Sequence, residues 1–395
     1  MAKPNNMLVF ILTLGVFGII NTEMGVIGIL PSLADHFDVS VSKAGWLVSF
    51  FALAVAVSGP TMPLLFSGID RKKVMLLVLG VFLLGNIVSI FTTNFTLVLI
   101  ARVIPAFFHP IYCSLAFAVA AASVSKEEAP KAVSKVFIGV SAGMVAGVPI
   151  VSFIANAVSI EMAMGFFALV NAVVFIATII FVPSLPVKER LSYGSQIRVL
   201  KKSIVWLSII AVILLNSAVF GVYSYIAEYL KTVTNISVNS ISLMLILFGG
   251  SNIIGNIVAG KLLAKNSNKL VITFPFALGT VYIILFLVGK FTIPMAILTA
   301  IWGVLAGVGG NLNQYWISSA APEAPDFANG LFLTSANLGT TAGSAVGGLF
   351  ISGMGTQYVV WVGILSLLLS VVAISLRIYL FRPTRQFTKS RISFK

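Results

Sequence analysis

Three ionisable side chains lie within apolar stretches of this chain: Glu23, Arg102 and His109. Glu23 belongs to Asn21-Thr22-Glu23, set within the apolar run from Met7 to Leu30. An acidic side chain at the centre of a membrane-crossing helix costs roughly 2.5–3.5 kcal/mol on insertion scales, so such groups face a cavity or a partner. The other acidic residues (Asp35, Asp38, Asp70, Glu127, Glu128, Glu161, Glu189, Glu228, Glu323, Asp326) fall in loops or near the ends of apolar runs. Glu23 is therefore the leading candidate for a group that exchanges a proton while another solute crosses the membrane. The alternative is a structural acid paired permanently to a neighbouring helix. Arg102 and His109 are seven residues apart, two turns along one helix face and about 10 Å in depth. Arg102 beside Glu23 would hold the carboxylate ionised, and desolvation would favour the proton. Histidine titrates near neutral pH unaided. His109 is thus either a proton relay or a neutral residue satisfied by a backbone carbonyl.

Other chemistry finds no support in residue spacing. There is no metal-ligand cluster, Walker-type phosphate loop or dinucleotide fingerprint. ATP hydrolysis within this chain is excluded as a driving force, and no enzymatic activity is expected. A proton gradient replaces any cofactor. The single cysteine, Cys113, permits no intrachain disulfide and sits in an apolar run as a small core residue.

The elements that must position these groups are membrane spans. Hydrophobic residues make up 59% of the chain and charged ones 9%, with a mean hydropathy of +1.08, which defines a polytopic membrane protein. Spans of about 20 apolar residues are predicted at 7–30, 44–67, 74–92, 97–123, 134–157, 163–183, 204–228, 240–264, 270–289, 293–318, 327–352 and 356–381. The first is too long for a signal-peptide core and is expected to be retained. The expected fold class is all-α, with twelve transmembrane helices in two six-helix halves: 1–183, a cytoplasmic linker 184–203, and 204–395 with a basic cytoplasmic tail.

The net charge of +14 follows topology. With a cytoplasmic N-terminus, 21 basic residues fall inside and only Lys43, Lys231 and Lys290 outside, as the positive-inside rule requires. Both termini are expected in the cytoplasm of a plasma-membrane protein. The basic charge is expected to meet anionic lipid and not nucleic acid, and the chain is expected to act as a monomer.

Glycines repeat between the halves. Gly139, Gly143 and Gly147 precede Pro149 in span 5, and Gly339, Gly343 and Gly347 lie 200 positions later in span 11. Glycines four apart form a smooth face on which another backbone approaches closely. Gly250, Gly255 and Gly260 form a less regular third set. Inward-facing amides and aromatics supply the expected contacts to a small-molecule substrate: Asn21, Tyr112, Asn216, Tyr223, Asn252, Asn256, Asn311, Asn313, Gln314, Tyr315 and Asn337, with Tyr225 and Trp316 nearby. Such a lining suits a neutral or weakly cationic molecule of modest size.

Several segments resemble the major facilitator superfamily: GILPSLADHF after NTE, the pattern from Arg102 to His109, Gly147 to Pro149, and the stretch from Ala321 to Phe350. Within it the chain is similar to the twelve-span drug:proton antiporters, near the arabinose-efflux-like and purine-efflux-like members. The resemblance implies a proton-coupled exporter of small organic molecules (drug, sugar or nucleobase-like) working by alternating access. A proton-independent facilitator or importer of a sugar or nucleobase is the alternative. It also implies that the glycine-rich fifth span acts as the antiporter motif, and that Asp70, Arg71, Lys72 and Lys73 gate the cytoplasmic side. Two positions depart from the family pattern. Ser67 replaces an acid before the basic triplet while Asp70 replaces a glycine, and Ser159-Ile160-Glu161 replaces Gly-Trp-Arg.

Overall fold

The computed structural model describes residues 6–125, 129–187 and 196–381. Lys3, Lys126, the acids Glu127 and Glu128, the linker residues Lys188 to Arg190 and the basic tail from Arg382 lie outside the described residues. Eleven described helical segments are long and apolar enough to cross a membrane: Asn6–His36, Val41–Ser58, Arg71–Phe91, Phe95–Ala122, Lys135–Ala157, Ile160–Phe181, Ser203–Thr232, Val238–Leu263, Lys265–Val288, Thr292–Ser318 and Thr356–Leu380. These are spans 1 to 10 and 12. Span 11, Pro325–Met354, is a 30-residue helix. Its length suffices, but its many Gly, Ser, Thr and Asn residues dilute the apolar signal.

Spans 8 and 9 run nearly end to end. They part at Asn266, whose backbone is extended (φ −163°, ψ 86°) and whose Oδ1 accepts from the Lys269 amide at 2.9 Å, capping span 9. Asp70 caps span 3 in the same way, accepting from the Lys73 amide at 3.2 Å and from the Ser184 hydroxyl at 2.7 Å. Slight burial pushes the Asp70 carboxyl up, but Ser184 and the backbone donors outweigh it and hold it below the usual carboxylate range. The Lys72 Nζ donates to the Ile179 carbonyl at 2.9 Å, and the Arg71 amide to Leu185 at 3.1 Å. These contacts tie the span 2–3 loop to span 6 within one half.

The two groups of six spans share a packing plan. Span 5 lies on span 1 and span 11 on span 7. A Cβ on Gly139 would strike the Thr13 carbonyl, and one on Gly143 would come within 2.8 Å of Ile20. A Cβ on Gly339 would strike the Ile213 carbonyl, and one on Gly343 would come within 2.5 Å of the Ser217 carbonyl. Of the third set, Gly255 abuts Val304 while Gly250 and Gly260 face open space. That set is not a continuous seam, because the glycines at 250 and 260 are turned away from span 10.

Spans 1 and 7 also break at corresponding depths. The α-helix Asn6–Met24 passes into a 3-10 turn, Gly25–Ile29, before resuming as Leu30–His36. Span 7 is helical over Ser203–Tyr223, turns, and resumes as Ile226–Thr232. Span 5 carries a π turn at Gly143–Gly147, after which Pro149 starts the helix Val148–Ala157.

The halves meet at the end bearing the 31–43 segment. Ser49 and Ser344 hydroxyls lie 2.7 Å apart and Ser152 and Ser242 hydroxyls 2.9 Å apart, while within the second half the Tyr225 hydroxyl donates to the Ser344 carbonyl at 2.8 Å. Lys231 of span 7 pairs with Asp35 of span 1 at 3.0 Å. Spans 5 and 8 pack chiefly through Gly143–Ala157 and not through Ala129–Ala142. An apolar groove of about 710 Å³ opens on their flank beside Pro149, Phe153 and Leu243.

Candidate functional site

Successive residues on an α-helix point about 100° apart, so Asn21, Thr22 and Glu23 address three different neighbours. Asn21 is fully buried against the span 5 seam, where a Cβ on Gly147 would strike its Oδ1. Neither atom of its amide has a hydrogen-bond partner among the described residues. The Thr22 hydroxyl donates to the Gly18 carbonyl at 2.9 Å. It accepts from Asn171 of span 6 at 3.1 Å and from Asn86 of span 3 at 3.4 Å. The Glu23 Oε2 faces the His109 Nε2 of span 4 at 3.1 Å.

Both members of this pair are sealed, with 6% of the His109 side chain and 8% of that of Glu23 exposed. Such a pair is held by mutual attraction and hydrogen bonding against the desolvation of both groups. The Cys113 Sγ lies 3.8 Å from the same His109 nitrogen, and His109 Nδ1 has no partner among the described residues. His109 is thus not capped by a backbone carbonyl.

Arg102 occupies a different place from the one expected. Its Nη2 donates to the carbonyls of Thr22 at 2.9 Å and Glu23 at 3.4 Å, not to the Glu23 carboxylate. The switch from α to 3-10 geometry after Met24 removes the amides that would bond those carbonyls in a continuing α-helix, and the guanidinium takes their place. Phe51 covers the arrangement: Arg102 lies over its ring at 5.5 Å and His109 meets it edge-on at 6.3 Å. The site is a buried acid–imidazole pair with a fixed positive charge behind it.

The second half is built differently at corresponding positions. The 200-residue offset that relates the glycine seams carries Glu23 to Tyr223, Arg102 to Trp302 and His109 to Gly309. Tyr223 stacks on Phe248 at 4.5 Å and meets Trp302 edge-on at 6.0 Å. Tyr282 completes the cluster, 5.6 Å from Trp302. One and two turns along span 8 from Phe248, Asn252 and Asn256 begin an amide ladder. Asn256 donates to Asn252 Oδ1 at 2.9 Å, and Asn311 of span 10 donates to Asn256 Oδ1 at 2.6 Å.

The remaining expected contacts divide. Tyr112 is fully buried, its hydroxyl pressed against Gly15 of span 1, because its side chain fills the gap that glycine leaves. The Asn216 amide bridges to span 11, donating to the Ala336 carbonyl at 2.5 Å and the Thr340 hydroxyl at 2.9 Å. Tyr315, one turn beyond Asn311 on span 10, is exposed and donates to Ser267 at 2.8 Å. Tyr225 is committed to Ser344. Asn313 is buried with Oδ1 unpartnered among the described residues, Gln314 is half-buried, and Asn337 donates to Leu333 of its own helix at 2.9 Å. Trp316 lies under the Arg377 guanidinium at 3.6 Å, and Arg377 donates to its carbonyl at 2.7 Å, closing the end of span 10.

Phe51, Asn86, Asn171 and Arg377 were not singled out by the sequence. For Asn86 and Asn171 the signal was present: a lone amide inside an apolar run carries the same kind of burial cost that marks Glu23.

Comparison with known proteins places this architecture. The inner membrane transport protein YdhP of Escherichia coli K12 is 28% identical over 349 residues, 88% of this chain and 90% of that protein. A probable sugar efflux transporter of Helicobacter pylori strain 26695 is 25% identical, over 90% of this chain and 91% of its own. The crystal structure of the nucleoside transporter NupG shares the fold with a TM-score of 0.77 at 15% identity, covering 96% of this chain and 100% of that one. The description Major Facilitator Superfamily matches residues 12–334 and, overlapping, 209–393. The chain is a transporter of the major facilitator superfamily.

Proposed function

We propose that this chain is a proton-coupled exporter of small organic molecules, sugar- or nucleobase-like or drug-like, that works by alternating access in the plasma membrane with both termini cytoplasmic. The observation that carries this reading is the sealed Glu23–His109 pair at 3.1 Å, backed by Arg102. Coupling needs an acid that is neutral in one conformation and charged in another, and no other described carboxylate is held this way in mid-span. Under the positive-inside assignment the end where the halves meet is external, so the structure corresponds to an inward-facing form. Among the described residues, the middle of the second half offers amides, hydroxyls and aromatic faces but no ionisable acid or base. Tyr223, Asn252, Asn256 and Asn311 then contact a neutral solute by stacking and hydrogen bonding. The efflux named for the Helicobacter relative points the same way. The glycine seams let spans 5 and 11 slide on spans 1 and 7 during the exchange, and the Asp70 to Lys73 turn moves with the first half.

The test is gradient-driven accumulation of radiolabelled sugars and nucleobases in everted vesicles, with substrate-induced proton release from the purified protein. Accumulation should require the proton gradient, and Glu23→Gln should abolish both signals while leaving downhill exchange. Uphill accumulation by Glu23→Gln with normal pH dependence would place the proton carrier elsewhere, with His109 the next candidate, whereas equilibration of solute with no dependence on the gradient would return the chain to a proton-independent facilitator.

A further inference from the structure

A second buried carboxylate lies outside the Glu23–His109 pair. Glu228 is 8% exposed, on the short helix Ile226–Thr232 that ends span 7, where the halves are closed on one another. Its backbone carbonyl accepts from Thr232, but no described residue donates a hydrogen bond to its carboxylate. The nearest cation along the helix is Lys231, three residues on and so on the same face. Lys231 is turned away, to Asp35 of span 1 across the seam at 3.0 Å. His36, next to Asp35, is engaged with Glu161 of span 6 at 3.6 Å. Tyr229 is committed to the Leu285 carbonyl at 3.1 Å. One lysine thus stands between two carboxylates, one from each half, and in the closed form its hydrogen bond goes to the exposed one.

We propose that Glu228 is a second proton-binding group, protonated while the halves are closed over it and ionised when they part. The proposal rests on the alternating-access reading above. In the closed form Asp35 and Lys231 are paired and the Glu228 carboxyl is neutral, since an unpaired buried carboxylate would be strongly destabilised. Parting of spans 1 and 7 pulls Asp35 into water and frees Lys231 to pair with Glu228. The Glu228 proton leaves to solvent, and the seam passes from net neutral to net −1 as that one proton is released. Closure therefore takes up a proton. Linkage then favours the closed form at low pH, and closure is lost as pH rises through the closed-state value.

The test reads opening in the full-length protein without substrate. Ser42 sits on the seam, its hydroxyl 2.8 Å from a Cβ placed on Gly348. A cysteine at position 42 is labelled with a charged, impermeant maleimide from about pH 5 to about pH 8. Each rate is divided by that of the denatured chain at the same pH, and the chain lacking the added cysteine serves as background. Labelling should rise with pH by up to about tenfold per unit. Glu228→Gln should label slowly with no pH slope, and Asp35→Asn quickly with no slope, since Lys231 then serves Glu228 in both forms. Glu228→Asp should keep the slope, which shows that the seam still folds. In a Glu23→Gln background the slope should persist, even if proton-driven transport is gone. An unchanged slope in Glu228→Gln overturns the proposal. So does loss of the slope in Glu23→Gln, which would assign the proton to Glu23 and leave the transport reading intact.

Discussion

The two halves of this transporter share a scaffold and differ in chemistry. In each, a glycine seam seats the fifth helix on the first, and the first helix breaks at the depth of Glu23 or Tyr223. At that depth the first half holds an acid, an imidazole and a guanidinium, while the second holds a stack of tyrosine, phenylalanine and tryptophan. Repetition has kept what close backbone approach demands and released everything else. Small residues are required wherever two helix axes must come together, but a cavity wall needs only to avoid unsatisfied charge. On the proposed reading the result is a division of labour at this depth: the coupling proton on one wall, solute on the other.

The sharpest way to break this comparison is to remove one member from each wall. Arg102→Ala strips the donor from the Thr22 and Glu23 carbonyls, and a lost charged hydrogen bond in a buried site costs about 1.5–3 kcal/mol. Uphill accumulation in liposomes should fall by at least about tenfold. Trp302→Phe should change substrate affinity several-fold while the proton-to-substrate ratio, measured by reversal potential, stays put. Loss of coupling in Trp302→Phe would erase the division.

A smaller effect separates the seams themselves. Gly343→Ala drives a Cβ to within 2.5 Å of the Ser217 carbonyl, a backbone atom, whereas Gly143→Ala meets the Ile20 side chain at 2.8 Å. Neither the Ser217 carbonyl nor the Ile20 Cβ can swing aside, so the closer clash is the costlier one. Overpacking costs about 1–3 kcal/mol, so Gly343→Ala should lower the melting temperature more than Gly143→Ala in detergent. Equal losses would mean the seams are interchangeable.

Smaller again is the polar core beneath Glu23. Asn171→Leu removes two hydrogen bonds, to Thr22 and to Phe167, worth about 1 kcal/mol each. Thermal stability should drop while the pH profile of transport is unchanged. A shifted profile would show that the Thr22 network tunes the acid. The smallest effect is expected for Tyr315→Phe, an exposed residue bonded to Ser267. Flux should stay within about twofold, as for a surface hydrogen bond. A larger loss would return span 10's outer face to the solute path.

Much of the fold was legible in the chain because a membrane prices each residue separately. Length and apolarity marked eleven of the twelve spans. Span 11, read at 327–352 with the other runs, is less apolar because it is the small-residue helix, and its glycine spacing marks it a second time. The linker at Pro183 to Ser203 marked the division between halves. Glu23 stood out by cost alone, and the glycine sets by spacing alone. Asn216 and Tyr112 show where such reading stops. Both are polar and in mid-span, as a solute contact would be, yet one bridges two helices and the other fills the space above a glycine.

What the sequence determined by itself is therefore the list of groups too expensive to leave facing lipid, and the faces smooth enough for helices to touch. Which group answers which was decided by tertiary structure. Whether Glu23 met Arg102 or His109 depended on the rotation of span 4, where each residue turns the face by about 100°. It depended equally on the 3-10 turn at Gly25–Ile29, which freed two carbonyls and drew the guanidinium to them. Burial cost belongs to one residue and can be read along a chain. Pairing belongs to two, and it exists only once the helices have been set against each other.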